Sequence, residues 1–348
     1  MSLHALTFIE PISTVGPDLF YTQAWFDNLK AHGFTQAPVL HCAVEDTSAG
    51  AVQLPLAQLE SCSHLSAHSN YYSCLYGPVG PTHALSPAGW TSLVRKIRGF
   101  PGSAVVKLQP LDASSTWLAA LEVALQKESY WTDRFFCFGN WYQPVPADGF
   151  ACYWAARPSA LRHSVERGRK RLSKAGPWRI DVVSGGAADA LLSQVDLKAA
   201  IAAYESVYAQ SWKKPEPCPG FMPGLIRTAA REGWLRLGVL WLNGQPLAAQ
   251  VWLVQGGKAN IYKLAYVQGF EKLSAGSVLT TALMQHAMDV DHVEEVDYLS
   301  GDDAYKADWM ALRRERVGMV AFDKRHWRGW LAVLRHQLGR WRRAWRSG

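Results

Sequence analysis

A run of polar and aromatic residues near the carboxyl end of the chain carries the side chains best suited to acid–base chemistry. It spans Ser300 to Trp309 and follows a predicted strand, Glu294 to Leu299, where α/β proteins usually place chemistry. Asp302 and Asp303 are the candidate acid–base residues, because a carboxylate can take a proton from an amine directly or through water. Alternatively, one of them caps the helix that follows. Tyr305 joins them as a third candidate catalytic residue.

A glycine-containing turn precedes a second predicted element, the helix Ser277 to Met288. The residues of this turn are Ser274, Ala275, Gly276 and Ser277. Backbone N–H groups at a helix start are free to hold a phosphate. We therefore predict that the turn, together with Lys306, binds a phosphorylated or pantetheine-bearing donor. Contact with the acceptor is the alternative role for Lys306.

Two neighbouring residues on the predicted strand Ala259 to Val267 are candidates for binding substrate. They are Tyr262 and Lys263, which precede the donor turn. Side chains alternate along a strand, so at most one of the two should face a cleft. A packed wall residue is the alternative interpretation of Tyr262.

Three further positions carry candidate substrate contacts. Arg162 and Arg169 are seven residues apart in a basic predicted helix, Ser159 to Lys174, which places both on one face where they could hold an anionic group. The alternative is an ordinary solvated face. Trp212 ends the predicted helix Asp196 to Trp212, and Trp309 ends the polar run; both are aromatic surfaces that a substrate could contact.

The elements that must position these residues alternate between helix and strand, which predicts an α/β fold with a mixed sheet. Asn243-Gly244 and Gly256-Gly257 separate predicted strands and indicate tight hairpins. Both halves follow the order helix, hairpin, helix, strand. We therefore expect two similar domains in tandem, residues 1–146 and 147–323, the second one catalytic, followed by a basic segment at 324–348.

The basic segment predicts an amphipathic helix. Its large apolar residues recur at helical intervals with arginines between them. These apolar residues are Trp327, Trp330, Leu331, Leu334, Leu338, Trp341 and Trp345. This composition is typical of helices that lie on a membrane surface. The alternative is a terminal helix docked on its own protein.

Bulk composition narrows the function classes. The chain has 348 residues, 49% of them apolar, and a net charge of +7. The apolar fraction is high enough for folded domains with hydrophobic cores. The sequence contains no apolar run close to the ~20 residues that a transmembrane helix needs. The six cysteines form no C-x-x-C pair and no metal-ligand spacing with histidine, so we expect reduced thiols and no metal. We expect a cytoplasmic protein, with contact at the inner membrane face through residues 324–348.

Several motifs together resemble one family of enzymes. Tyr153-Trp154 with the segment Arg157 to Arg162, then Ile261 to Tyr266, and finally Gly301 to Trp309 are similar to the CelD-like branch of the GNAT acyltransferases. That branch is associated with bacterial polysaccharide biosynthesis and is similar to the FemAB peptidyltransferases, which carry two GNAT-like domains. The resemblance is specific from about Tyr153 to Phe322.

The resemblance implies an N-acyltransferase in which an amine attacks an acyl-CoA, such as acetyl-CoA, with no acyl-enzyme. The implied partners are this donor and an amine-bearing small molecule or glycan, with an amino sugar as one acceptor. The usual donor loop is Q/R-x-x-G-x-G/A; here Glu271 to Gly276 match it only at Gly276. Two alternatives remain: transfer from aminoacyl-tRNA, as in the FemAB proteins, or a non-catalytic membrane or nucleic-acid binding protein on a GNAT scaffold.

Overall fold

A computed structural model describes residues 18–59, 63–185 and 194–347. Ten α-helices occur in this part of the chain: α1 Gln23–His32, α2 Pro87–Arg98, α3 Thr116–Lys127, α4 Gly149–Ala155, α5 Ser159–Ala175, α6 Gln194–Ala209, α7 Phe221–Arg231, α8 Ala275–Asp289, α9 Lys306–Trp309 and α10 Trp327–Ser347. The described strands are β1 Val39–Thr47, β2 Gly50–Gln58, β3 Leu65–Ala67, β4 Val105–Asp112, β5 Tyr130–Pro144, β6 Trp178–Ser184, β7 Leu235–Leu242, β8 Gln245–Gln255, β9 Lys258–Tyr266, β10 Glu295–Asp297 and β11 Leu312–Asp323. The predicted α/β fold is confirmed.

All eleven strands form one mixed sheet in the order β1-β2-β3-β4-β11-β5-β10-β9-β8-β7-β6. On one side of the sheet, β2 pairs with β3 antiparallel, β3 with β4 parallel, and β4 with β11 antiparallel. On the other side, β8 pairs with β9 antiparallel, β9 with β10 parallel, and β10 with β5 antiparallel, which is the same pattern. The two halves are therefore topological repeats, as expected for tandem GNAT-like units.

The two repeats exchange their last strands. β5 comes from the first half of the chain and pairs with β10 of the second, whereas β11 comes from the second half and pairs with β4 of the first. β5 and β11 then pair with each other from Tyr130↔Asp323 to Tyr142↔Leu312. The sheet is thus continuous across the predicted boundary after residue 146, which itself stays a prediction.

Apolar side chains cover the sheet in two buried clusters. The larger cluster joins α1, α2 and α3 to α6 and α7, with Trp25 packed edge-on to Phe221 and Tyr262. The smaller one packs α5 and α8 on β8 and β9, around Trp252 and Met284. Because α1 of the first half packs on α7 of the second, helices as well as strands join the halves.

Buried ion pairs hold the centre of the sheet. Asp297, 1% exposed at the end of β10, accepts hydrogen bonds from Asn140 on β5 and Arg314 on β11, and Arg316 lies 3.8 Å away. These guanidinium groups and Lys258 outweigh the cost of burial and lower the pKa of Asp297 to about 2. The network fixes β10 against both exchanged strands.

No helix in the described ranges is both long enough and apolar enough to cross a bilayer. The five cysteines within these ranges are free thiols. Cys62, the sixth, lies outside them.

Candidate active site

A cleft opens where two parallel strands separate. β9 and β10 pair only over three residues, from Lys258↔Glu295 to Asn260↔Asp297. Beyond that point, residues 261–264 of β9 and the segment 298–300 line a cavity of about 360 Å³. The sheet itself therefore creates the gap in which a substrate can lie.

A β-bulge interrupts β9 beside this cavity. Val251 of β8 pairs with Lys263 and Trp252 with Ile261, so Tyr262 is an extra residue in β9. Both Tyr262 and Lys263 line the cavity. Tyr262 is buried, and its ring packs edge-on to Trp25 in the core, so the expectation that at most one of the two side chains faces the cleft stays a prediction.

Three lysines line this space, which we call the lysine cavity. Lys263 pairs with Glu216 at 2.8 Å. Lys306 is 4% exposed and donates to the carbonyls of Ser300 and Gly301 at 2.5 and 3.1 Å. Lys213 makes no side-chain hydrogen bond or ion pair with the described residues, and burial, with the charge of Lys263 second, lowers its pKa to about 8. Lys213 is thus available to a ligand, whereas Lys306 stabilises the loop at Ser300 and Gly301.

The first half of the chain supplies one wall of the lysine cavity. Tyr71 and Tyr72 line it, with Lys263 Nζ 4.9 Å from the Tyr71 ring centroid. The Tyr262 hydroxyl donates to the Tyr72 carbonyl at 2.8 Å. Our sequence analysis missed these tyrosines. The available signal was the polar and aromatic segment Asn70 to Ser73, which follows neither helical nor strand spacing.

A second cavity, also about 360 Å³, lies at the start of α8 and is called here the donor cavity. Ser274 precedes the helix in the left-handed region, at φ 52°, and its side chain does not cap the helix. The predicted turn residues Ala275, Gly276 and Ser277 form the first turn, and their N–H groups have no acceptor among the described residues. All four turn residues line the cavity. This is the arrangement that binds anions at helix starts.

A buried glutamine on the sheet holds the turn Ser274 to Ser277 in place. Gln250 on β8 is 0% exposed, and its amide nitrogen donates to the Gly276 carbonyl at 3.0 Å and to the Thr280 hydroxyl at 2.8 Å. Sequence reasoning also missed this residue. A lone amide in the apolar strand segment Ala248 to Leu253 was the signal, because a buried polar group needs partners.

The two cavities adjoin. Trp212, Leu264, Tyr298 and Tyr305 line both of them. Trp212 lies after α6, which ends at Ala209, rather than inside the helix as predicted, and it packs on Tyr266 with ring centroids 4.4 Å apart. Burial, with Asp303 second, raises the pKa of Tyr305 to about 12. A protonated phenol therefore lies at the junction.

The two predicted acid–base carboxylates have different surroundings. Asp303 lines the lysine cavity, with Oδ2 3.7 Å from Lys306 Nζ. Asp302 lines neither cavity; it pairs with Arg313 at 2.5 Å and accepts from Trp141 Nε1 at 2.9 Å. Neither side chain caps α9, whose N-cap is Tyr305 without a side-chain hydrogen bond.

The predicted substrate residues divide into two groups. Trp212, Tyr262 and Lys263 lie in the cleft, and Trp309, which is buried, lines the donor cavity. Arg162 and Arg169 instead line a separate hollow of about 290 Å³ between α5 and Trp154 of α4. The structure therefore does not bring these two arginines together with the other candidates.

α5 nevertheless packs directly on the donor turn. A Cβ at Gly168 would lie 2.8 Å from the Leu273 carbonyl oxygen and 3.1 Å from Ser274 Cβ. Three residues further along, Arg171 donates to the Lys272 carbonyl at 2.6 Å. The basic helix thus borders the donor cavity even though Arg162 and Arg169 face away. No group of three histidine, cysteine or carboxylate side chains in the described ranges could hold a metal ion.

Comparison with known proteins agrees with the fold. A family model described as an acetyltransferase (GNAT) domain matches residues 159–307, which contain the donor turn and most of the lysine cavity. This part of the chain thus has a GNAT-type fold. A comparison with curated protein sequences gave no match.

Solved structures extend the similarity over both halves. FemX superposes with a TM-score of 0.62 at 10% identity, covering 88% of this chain and 92% of FemX. L-PGS from Bacillus licheniformis gives 0.53 at 12% identity, covering 92% and 98%. The C-terminal domain of an Agrobacterium fabrum protein described as a lysylphosphatidylglycerol synthetase gives 0.54 at 14%, covering 80% and 83%. At these identities the likeness concerns the fold.

Proposed function

We propose that the protein is an N-acyltransferase that moves an acyl group from an acyl-CoA, such as acetyl-CoA, to an amine-bearing acceptor. One observation carries this proposal: the donor cavity and the lysine cavity meet at Tyr298 and Tyr305. The unpaired N–H groups of Ala275 to Ser277 suit the donor's phosphates. The acceptor then approaches from the lysine cavity.

Asp303 and Tyr305 occupy suitable positions for such a transfer, because Asp303 lines the lysine cavity and Tyr305 lines both cavities. The amine nitrogen forms a bond to the acyl carbon, and the bond from that carbon to the donor's sulfur breaks. The amine loses a proton in this process, and Asp303 takes it directly or through water. Tyr305, whose pKa is raised to about 12, keeps its proton at neutral pH and returns one to the departing thiolate. No covalent enzyme nucleophile is required.

The charge of the lysine cavity supports an acceptor that carries an anionic group. Among the described residues, Lys263 pairs with Glu216 and Lys306 with Asp303, whereas Lys213 forms no ion pair. An amino sugar bearing a phosphate or carboxylate fits this charge. It also fits the resemblance to the CelD-like branch and its association with polysaccharide synthesis.

Ligand-induced thermal stabilisation tests the donor, since a ligand that binds only the folded state raises its melting temperature. We expect acetyl-CoA or a longer acyl-CoA to raise it, and native mass spectrometry to find a one-to-one complex. Gly276→Asp, which places a carboxylate beside the free N–H groups, should abolish the shift. If no acyl-CoA stabilises the protein, the donor proposal fails.

Two neighbouring aspartates give a matched test of the base. Asp303→Asn should lower kcat about 100-fold or more, as expected for loss of a general base. Asp302→Asn should leave kcat close to that of the unaltered protein, because Asp302 lines neither cavity. Equal activity of the two variants would remove Asp303 from the mechanism.

A second candidate, transfer from aminoacyl-tRNA, is favoured by the position of α5. Its exposed cations, including Arg167, Lys170 and Arg171, extend from the edge of the donor cavity, where a polyanion could follow them. One similar structure is described as a lysylphosphatidylglycerol synthetase, whose name denotes an aminoacylated lipid product. For this candidate we expect tRNA affinity to fall about 10³-fold or more between roughly 50 and 200 mM salt. Weak binding with little salt dependence would exclude it.

A further inference from the structure

α10 docks on the protein through its small residues. Gly329 is buried, and a Cβ there would lie 2.0 Å from the Asp323 carbonyl oxygen. One turn further on, Ala332 and Val333 are half-buried. His336 contacts Asp133 of β5, with Nε2 and Oδ2 2.6 Å apart. The helix therefore lies close to the body of the protein along a face that has little apolar surface of its own.

Five large apolar side chains between Trp327 and Leu338 of α10 are exposed. Their exposed fractions are Trp327 64%, Trp330 51%, Leu331 42%, Leu334 56% and Leu338 55%. Intervals of three and four residues place them on one helix face, which we call the apolar stripe. α10 is therefore docked on the protein while the apolar stripe stays exposed, and the membrane-surface helix of the sequence analysis stays a prediction.

The surroundings of the apolar stripe are strongly basic. The residues from Lys324 to Gly348 include eight lysines and arginines and no aspartate or glutamate. Arg328 and Arg335 line a groove of about 810 Å³ between α10 and the start of β4, and Trp327 and Leu331 of the stripe border the same groove. An apolar strip beside a cationic groove matches the apolar core and anionic headgroups of a lipid bilayer.

From this arrangement we propose that α10 lies on an anionic membrane surface, with the apolar stripe inserted among the acyl chains and Arg328 and Arg335 facing lipid phosphates. A second copy of the chain fits the stripe poorly, because pairing two such segments would bring sixteen cationic side chains together without a carboxylate from either segment. This proposal is independent of the catalytic one.

Cosedimentation of the full chain with lipid vesicles tests the proposal. The native protein should bind mixed phosphatidylcholine–phosphatidylglycerol vesicles and bind pure phosphatidylcholine vesicles much more weakly. The triple variant Trp330→Ser, Leu334→Ser, Leu338→Ser should lose at least about 100-fold in affinity, since each large apolar side chain contributes about tenfold when buried. Arg328→Gln with Arg335→Gln should lose about fivefold per arginine on the anionic vesicles.

A matched control removes apolar side chains that are equally exposed elsewhere. Val123, Phe136 and Val290 are 66%, 55% and 62% exposed and lie outside α10, so their replacement by serine should leave vesicle binding unchanged. The proposal is overturned if the native protein ignores anionic vesicles or if the stripe variant binds them as the native protein does. It is also overturned if sedimentation velocity finds a dimer that the stripe variant abolishes while vesicle binding is absent.

Discussion

Replacing Asp297 by asparagine should strongly destabilise the protein, because this carboxylate neutralises the centre of the sheet. It accepts from Asn140 Nδ2 and from the Leu299 backbone N–H, each at 2.6 Å, and it pairs with Arg314. An asparagine keeps the size of the side chain but removes the charge. Among the described residues, the guanidinium of Arg314 would then pair with Glu295 alone.

The magnitude follows from two separate considerations. A carboxyl pKa that falls from 3.8 to about 2 on folding corresponds to roughly 2–3 kcal/mol in favour of the ionised form. Removing one member of a buried ion pair costs more, about 3–5 kcal/mol, because the partner charge stays buried. We therefore expect Asp297→Asn to lower the free energy of unfolding by about 3–5 kcal/mol.

Urea unfolding followed by circular dichroism measures this loss, with Asp302→Asn as the control. Asp302 also pairs with an arginine, Arg313, but the pair is exposed, so its loss should change the midpoint little. The pH dependence provides a second readout. Because folding lowers the pKa of Asp297, its contribution is complete above pH ~4 and is lost as the pH falls towards 2. Equal midpoints for the two variants at neutral pH would refute the reasoning.

Three other predictions concern the cleft. Lys213, with a pKa of about 8, should be about half neutral at pH 8. The rate at which a small anhydride acylates it, followed by peptide mass spectrometry, should therefore inflect near pH 8. An inflection near the ordinary value of 10.5 would contradict the burial of Lys213. Gly168→Ala should lower the free energy of unfolding, measured in urea, by roughly 1–3 kcal/mol, because the new Cβ overlaps the Leu273 carbonyl. It should also weaken the thermal shift by acyl-CoA. If the variant is instead stabilised by ~1 kcal/mol, as is usual for Gly→Ala in a helix, α5 does not pack tightly on the donor turn. Tyr305→Phe keeps the ring that packs on Tyr298 but removes the proton, so kcat should fall about 100-fold with little change in KM; an unchanged kcat would exclude the phenol as the acid.

Local elements could be predicted from the sequence because their signals lie within a few residues. The hairpin at Asn243-Gly244 has both residues at positive φ, 53° and 77°, as such turns require. The helix predicted at Ser159 to Lys174 extends from Ser159 to Ala175. The predicted strand Glu294 to Leu299 is shorter, Glu295 to Asp297, because Leu299 adopts φ 55° and turns the chain away from β9.

Partners that are distant in sequence could not be predicted. No local pattern shows that β11 lies between β4 and β5, because its apolar residues Val317 to Phe322 suit any buried strand. The lysine cavity depends on the same information: Tyr71 is nearly two hundred positions from Lys263, and only the folded sheet brings them together. The bulge at Tyr262 was likewise hidden, because it is defined by the register against β8.

The exchanged strands explain why one cleft uses both halves of the chain. Asp297, held by Asn140 of β5 and Arg314 of β11, accepts from the Leu299 N–H and so fixes the left-handed turn at Leu299. That turn directs the carbonyls of Ser300 and Gly301 onto Lys306, the brace of the lysine cavity. A change in the central ion network should therefore reach the cleft through a short series of direct contacts. Since β5 belongs to the first half of the chain, this cleft needs that half for its shape as well as for Tyr71 and Tyr72.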